Sequence, residues 1–328
     1  MTKKKCQLII SMVHPMIQKA ESVMESQQDQ QDLRDLVRYE ARGGRAYITF
    51  CRDEKRNALT YEMFDRLIEH IERAERDDDV RVIIFKSEGR DFSTGHDLAQ
   101  VGGAEYGFSK DPGARRPSQR ARLHFDKRHV EQFRQIFYCV KPTISLVQGW
   151  CVGAGLYIVE ASDLAIAASD ARIGHPEQKM GLAGAAYLTS WNILAMGPRK
   201  AREMLLLGEV IDGNEAARIG LINKAVPPEE LLDAGEEWAE RIVRLPRDAI
   251  AIGKAATHLA MDSLGMTSQF VHGYIGHALG TNIRYESDEV NFMKERKNKG
   301  TTQAAHAREN HYEAGAGQKG PGASAESK

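Results

Sequence analysis

Two glycine-bearing turns are the places where this backbone could do chemistry: Asp91-Phe92-Ser93-Thr94-Gly95-His96-Asp97-Leu98 and Gln148-Gly149-Trp150-Cys151-Val152-Gly153-Ala154-Gly155-Leu156. Each sits where a strand-like run hands over to the next element. Glycines there let a ligand approach the main chain closely. The second turn opens a helix whose first N–H groups have no intrahelical acceptor and carry the positive end of its dipole. Two such donors aimed at one carbonyl oxygen would stabilise the negative charge that develops on it. A dinucleotide fingerprint is the rival for the second turn, but Gly153-Ala154-Gly155 is followed by Leu156, Tyr157 and Ile158, with no third glycine at the required spacing. The chain also has no G-x-x-x-x-G-K-[ST] loop and no G-x-S-x-G elbow, the commonest signals of nucleotide and serine hydrolysis. On these residues alone, two turns whose glycines serve only packing read equally well.

The elements around the turns alternate. Ala46 to Phe50, Val80 to Lys86, Thr143 to Val147 and Leu164 to Ala168 are short runs rich in Ile, Val, Leu or Ala, as buried strands should be. Between the first two, Thr60 is an N-cap and Met63, Phe64, Leu67, Ile68 and Ile71 repeat at helical spacing. Further helices are expected over His129 to Val140 and from Ala154. The alternation argues for an α/β domain. Beyond about residue 197 helices dominate, at Arg199 to Leu207, Asn214 to Ile219, Pro228 to Val243 and Arg247 to Leu264.

The expected organisation is an N-terminal extension (1–36), a core (37–244), a C-terminal helical region (245–300) and a disordered tail (301–328). The extension ends in a Gln/Asp-rich stretch, and the tail has no apolar period. Val101 to Arg128 reads as a long connection containing Arg115, Arg116, Arg120, Arg122, Lys127 and Arg128. It is either a solvated surface loop or a lid and basic rim that meets phosphates. Within it, Glu105 and Tyr106 are polar groups able to enter a site.

Bulk properties exclude more than they assign. With 328 residues, 42% hydrophobic and 28% charged, the chain has ordinary globular composition. A formal net charge of -1 gives no long-range field towards nucleic acid or an anionic membrane. No run of about 18 apolar residues offers a span. A cytoplasmic protein with neither nucleic-acid nor membrane partners is expected. Cys6, Cys51, Cys139 and Cys151 show no C-x-x-C spacing and read as small apolar residues rather than a disulfide frame. His306 and His311 lie in a segment with no periodicity to hold a metal site, so no metal is expected.

The order of pieces from about Val37 to Lys299 resembles the crotonase, or enoyl-CoA hydratase/isomerase, superfamily. The similar pieces are Lys55-Arg56-Asn57-Ala58-Leu59, Phe92 to Leu98, Lys141-Pro142-Thr143-Ile144 leading to Gly149 and Gly153-Ala154-Gly155, Ser162-Asp163-Leu164-Ala165, and Gly174-His175-Pro176-Glu177 with Gly181-Leu182. Arg199-Lys200-Ala201-Arg202-Glu203, Ala216 to Ile222 and Lys224-Ala225-Val226 continue in family order. Any single piece is weak evidence; all of them in order are strong.

The resemblance implies an α/β fold, a crotonase-like spiral of repeated ββα units with a helical C-terminal region, assembled as a homotrimer or as a hexamer made of two trimers. It implies an acyl-CoA thioester substrate and no cofactor beyond the coenzyme A that the substrate carries. It assigns the oxyanion N–H groups to His96 and Ala154. It places Lys55, Arg56, Asn57, Leu59, Ser93, Thr94, Asp97, Leu98 and Gly153 along the CoA and substrate channel, with Lys55 or Arg56 available to phosphates.

Family hydratases use two glutamates, one two residues past the glycine triplet and one in the later Pro-Glu piece. Here the first position is Tyr157 and the second is Glu177. Paired carboxylates position water and transfer a proton, and one of the pair is missing. A tyrosine with an ordinary pKa near 10 is a poor base at neutral pH, although it orients a substrate or donates a hydrogen bond. A single carboxylate suits movement of a proton between the α and γ carbons, the task of family double-bond isomerases. The expected reaction is therefore isomerisation, or a specialised hydration, with Glu177 as acid/base and Tyr157 beside it. The alternatives are a ring-acting CoA thioester hydrolase or lyase, towards which Gly184-Ala185-Ala186-Tyr187-Leu188 loosely points, and a catalytically silent scaffold of the same fold. A surface carboxylate at Glu177 and simple packing at Tyr157 are the plainer readings of those two residues.

Overall fold

Four runs of Val, Ile, Phe, Leu and Ala are buried on both faces and build the centre of the molecule, as strands of a covered parallel sheet must be. The computed structural model describes residues 35–100, 117–182, 187–280, 285–286 and 289–316. In chain order its strands are β1 (Val37–Arg42), β2 (Arg45–Phe50), β3 (Val82–Ser87), β4 (Thr143–Val147), β5 (Trp150–Val152), β6 (Leu164–Ala168), β7 (Arg172–Gly174), β8 (Val210–Asp212) and β9 (Lys224–Val226). Six of them form one sheet in the order β1-β2-β3-β4-β6-β9. Only the β1–β2 hairpin in that sheet is antiparallel. The other three form a small sheet, β5-β7-β8. The chain leaves the large sheet at β4, enters the small one at β5, and repeats the move from β6 to β7. The large and small sheets thus advance together as a spiral, with a helix closing each turn.

The helices are α1 (Tyr61–Arg76), α2 (Gln119–Phe137), α3 (Ala154–Ala161), α4 (Thr189–Leu207), α5 (Gly213–Arg218), α6 (Leu231–Val243), α7 (Arg247–Asp262), α8 (Met266–Gly280), α9 (Phe292–Lys299) and α10 (Thr301–Ala316). The Thr60 hydroxyl caps α1 by accepting from the Met63 N–H at 3.2 Å. Met63, Phe64, Leu67 and Ile71 form the buried stripe of that helix, as their spacing requires. Helix α3 is buried along its whole length, Glu160 included, so it has no solvent-facing polar side. Helix α4 is broken at Gly197 (φ 79°), just before Pro198.

The structure departs from the sequence reading in three places. The expected connection from Val101 to Arg128 ends early, because α2 starts at Gln119, capped by the Ser118 hydroxyl accepting from Ala121 N–H at 3.2 Å. Charges that read as a solvated loop are partly interior: Arg122 and Asp126 are buried within 3.5 Å of each other. Arg115, Arg116, Glu105 and Tyr106 lie outside the described residues. Second, the expected disordered tail from Thr301 is helical to Ala316. Ala304 is buried against Phe292 and Met293, and the Arg308 guanidinium lies 5.6 Å over the Phe292 ring. A helix held through so few contacts leaves little periodicity to read. Third, the short strands β5, β7 and β8 were not expected, since three residues carry no pattern.

Candidate active site

Glycine backbone geometry brings the two turns together. Gly95 has φ 87°, and a Cβ built there would lie 2.9 Å from the Val152 carbonyl oxygen and 3.3 Å from the Ala154 nitrogen. Only glycine fits such a contact at positive φ. Around it the turns are stitched by main-chain bonds: Ser93 N–H to Trp150 O (2.9 Å), Val152 N–H to Ser93 O (3.1 Å) and Leu59 N–H to Gly95 O (2.8 Å). The buried Asp91 carboxylate accepts from Trp150 N–H at 2.9 Å and so ties the first turn to the second. Among the described residues, neither the His96 nor the Ala154 N–H donates a hydrogen bond, and Ala154 is the first residue of α3. Two donors on touching turns, one at a helix N-terminus, have the arrangement that an oxyanion needs.

Glu177 stands over this pair. A Cβ on Gly153 (φ 54°) would lie 3.1 Å from Glu177 Oε1, so the carboxylate covers the residue that precedes Ala154. The side chain is 15% exposed, and its Oε2 is buried without a hydrogen-bond partner among the described residues. It is carried by the short 3-10 turn Pro176–Met180, which Gly181 closes in the left-handed region. His175 lies directly behind it, with Nδ1 3.5 Å from Glu177 Oε1 and Nε2 2.8 Å from Glu160 Oε1. Burial alone would push the His175 imidazole down, but the carboxylates of Glu160 and Glu177 outweigh it and raise its pKa to about 10. The Tyr157 ring packs on that imidazole with centroids 4.6 Å apart, held between Phe133 and Tyr187.

The remaining residues singled out by sequence fall into two groups. Lys55 and Arg56 are exposed, and Arg56 adopts a left-handed conformation (φ 52°) with its guanidinium 3.5 Å from Asp91. Asn57, Ser93 and Asp97 use their side chains to hold the loops. Asn57 donates to Glu88 O and Asp91 O and accepts from Arg52 N–H; Ser93 donates to Asn57 O and accepts from Gly95 N–H; Asp97 pairs with Arg52 at 2.6 Å. Leu59 is buried beneath the first turn, Thr94 N–H donates to Arg56 O, and Leu98 packs against the Phe292 and Met293 cluster. What most of these residues present to a ligand is backbone.

Sequence reasoning missed two features. Glu160, fully buried on α3, had the same one-letter signal as any helical glutamate; its only flag was its place in an otherwise apolar helix. The second is an aromatic and imidazole seam between α1 and α2. Here Tyr61 and His129 stack at 4.7 Å and His96 lies 5.2 Å from Phe64 and 6.1 Å from His129. Burial, helped by the neighbouring imidazoles, pushes His96 down to about 3 and His129 to about 4, so both rings are neutral.

Comparison with known proteins bears on the family and the fold. The family model described as enoyl-CoA hydratase/isomerase matches residues 40–272. Enoyl-CoA hydratase domain-containing protein 3, mitochondrial, from Rattus norvegicus is 31% identical over 235 residues, covering 68% of this chain and 70% of that protein. Among solved structures, an enoyl-CoA hydratase/isomerase from Xanthobacter autotrophicus Py2 superposes with a TM-score of 0.74 at 26% identity, covering 84% of this chain and 98% of that one. An enoyl-CoA hydratase from Mycobacterium smegmatis gives 0.73 at 28% identity, covering 84% and 94%. With the matched region spanning most of the described core and the same spiral of strands and helices, the chain belongs to the enoyl-CoA hydratase/isomerase family, within the crotonase superfamily.

Proposed function

We propose that this enzyme moves the double bond of an enoyl-CoA thioester through an enolate, with Glu177 as the acid/base. The thioester oxygen accepts from the N–H groups of His96 and Ala154. Glu177 takes a proton from the α carbon of a β,γ-unsaturated thioester, the electrons move onto the carbonyl oxygen, and the same carboxyl returns the proton at the γ carbon. The product is the α,β-unsaturated isomer, with no atom gained or lost. The two N–H bonds strengthen as charge reaches the oxygen, which is what makes the α proton removable. The observation that carries this reading is the Glu177 carboxylate, with Oε1 3.1 Å from the Cβ position of Gly153; in support, the resemblance puts Tyr157 where a hydratase would have its second carboxylate.

The exposed Lys55 and Arg56 are assigned to the phosphates of coenzyme A. Tyr157 is assigned to packing against His175 rather than to proton transfer. The enzyme is also assigned a homotrimeric or hexameric assembly, supported by the apolar residues left exposed on α7 and α8.

The test is proton exchange at the thioester α carbon in D₂O, followed by mass spectrometry over a panel of linear and cyclic acyl-CoAs. Exchange by the native enzyme, at least about a hundredfold slower with Glu177→Gln while thioester affinity is kept, is the expected result. Binding without exchange across the panel would overturn the enolate reading, and equal exchange by both proteins would remove Glu177 from it.

A further inference from the structure

Glu160 is a buried carboxylate that the chemistry above does not use. It lies on α3 one turn beyond Tyr157, is fully buried, and among the described residues pairs with His175 Nε2 at 2.8 Å. Its second oxygen, Oε2, is buried with no hydrogen-bond partner among the described residues. An ionised carboxylate in such a place is expensive unless a cation accompanies it. Behind the pair is a cavity of about 40 Å³ lined in part by Leu156, Asn192 and Arg202. The groups around the imidazole are Tyr157 and Glu160 from α3 and Glu177 from the 3-10 turn, with Cys151 of β5 on the Glu160 side. Two carboxylates thus flank one imidazole, one at each nitrogen.

We infer that Glu160 is a positioning residue: it holds His175 as a cation whose Nδ1 faces Glu177, and so keeps that carboxylate aimed at the substrate's α carbon. This rests on the reading of Glu177 as the acid/base. The geometry gives the reason. Glu160 fixes the Nε2–H of the imidazole, which turns Nδ1 towards Glu177 at 3.5 Å, and the flat face of Tyr157 prevents the ring from swinging away. A base that carries a proton from one carbon to another must be ionised when substrate arrives and must release the proton afterwards. A fixed cation beside it attracts the carboxylate into one orientation throughout that cycle. The burial-induced fall in His175 is overcome by the two carboxylates together, so removing one of them tips the imidazole towards neutrality.

The test uses Glu160→Gln, which keeps an oxygen that accepts from Nε2–H and removes only the charge. With the thioester that exchanges fastest, kcat should fall about tenfold at pH 7 with KM within about twofold. The alkaline limb of the pH profile of kcat/KM, where the His175 cation loses its proton, should move down by at least about one pH unit, the usual effect of losing an adjacent opposite charge. A folded Glu160→Gln enzyme whose alkaline limb stays in place overturns the inference. Should that variant not fold, nitrogen NMR of the native enzyme decides, with the His175 signals assigned by their loss in His175→Gln. Signals of a charged ring at pH 8 support the inference, and those of a neutral ring overturn it. Full turnover by Glu177→Gln would overturn both this inference and the acid/base reading beneath it, whereas an unmoved Glu160→Gln profile overturns this inference alone.

Discussion

In the proposed reading Tyr157 takes the place of a glutamate of the family's hydratases, and its surroundings say what such an exchange does. The ring is buried between Phe133, Tyr187 and the His175 imidazole, so its aromatic face is engaged on three sides. If the ring serves by packing, Tyr157→Phe changes turnover by less than about tenfold, the scale of one hydrogen bond. Tyr157→Ala, by contrast, destabilises the fold by about 3–5 kcal/mol, the usual result of emptying an aromatic core site. A thousandfold loss of turnover in a stable Tyr157→Phe enzyme would return the hydroxyl to the chemistry. His175 gives a second residue-scale prediction. With its pKa raised to about 10 in the folded state against about 6.5 in an unfolded chain, the native protein binds the extra proton between those values. Its stabilisation is thus complete below about pH 6.5 and is lost as pH rises towards 10. Urea midpoints at pH 6, 8 and 9.5 should fall faster for the native protein than for His175→Gln, and parallel curves would contradict the assignment.

The seam between α1 and α2 behaves in the opposite sense. His96 and His129 are held neutral by burial, at about 3 and 4, so the unfolded chain takes up protons first as pH falls below about 6.5. Each ring then withdraws on the order of 1.4 kcal/mol of stability per pH unit down to its folded value. His129→Phe keeps the stacking with Tyr61 and Phe125 and should flatten acid denaturation between pH 6 and 4.5, measured by circular dichroism; an unchanged acid midpoint would show that another group controls it. The same seam shows where sequence stops being informative. Met63, Phe64, Leu67 and Ile71 announced α1 because apolar spacing is the signal of a buried helical stripe. Helix α2 buries Arg122, Asp126, His129 and Gln132 together with Val130 and Phe133, so its first turns read as a charged loop. The two glycine turns were legible because close backbone contact demands glycine at Gly95 and Gly153. The partnership of Glu160 with His175 was not, since it depends on an ion pair across fifteen residues that no local pattern records.

At the scale of the whole molecule the question is what covers α7 and α8. Helix α7 is anchored by the buried Lys254, whose ammonium donates to Asp163 at 2.6 Å and to the Lys141 carbonyl at 2.9 Å. Lys254 is its one buried residue, while Ile252 and Leu259 are 68% and 71% exposed. On α8, Val271, Ile275 and Leu279 are exposed as well. Helices that present this much aliphatic surface have lower free energy against another apolar surface than in water, by about 1.5–3 kcal/mol for each such side chain fully covered. Self-association satisfies that demand with copies of the same chain and closed symmetry. The native protein should sediment at three or six times the chain mass at micromolar concentration. Replacing Ile252 and Leu259 together by glutamate should shift it to the chain mass with its circular dichroism spectrum unchanged, because both side chains project away from the Lys254 anchor and a charge buried at an interface is far costlier than one in water. A native protein that sediments as a single chain at tens of micromolar would mean that these aliphatic residues are tolerated in solvent and that the helical C-terminal region serves the fold alone.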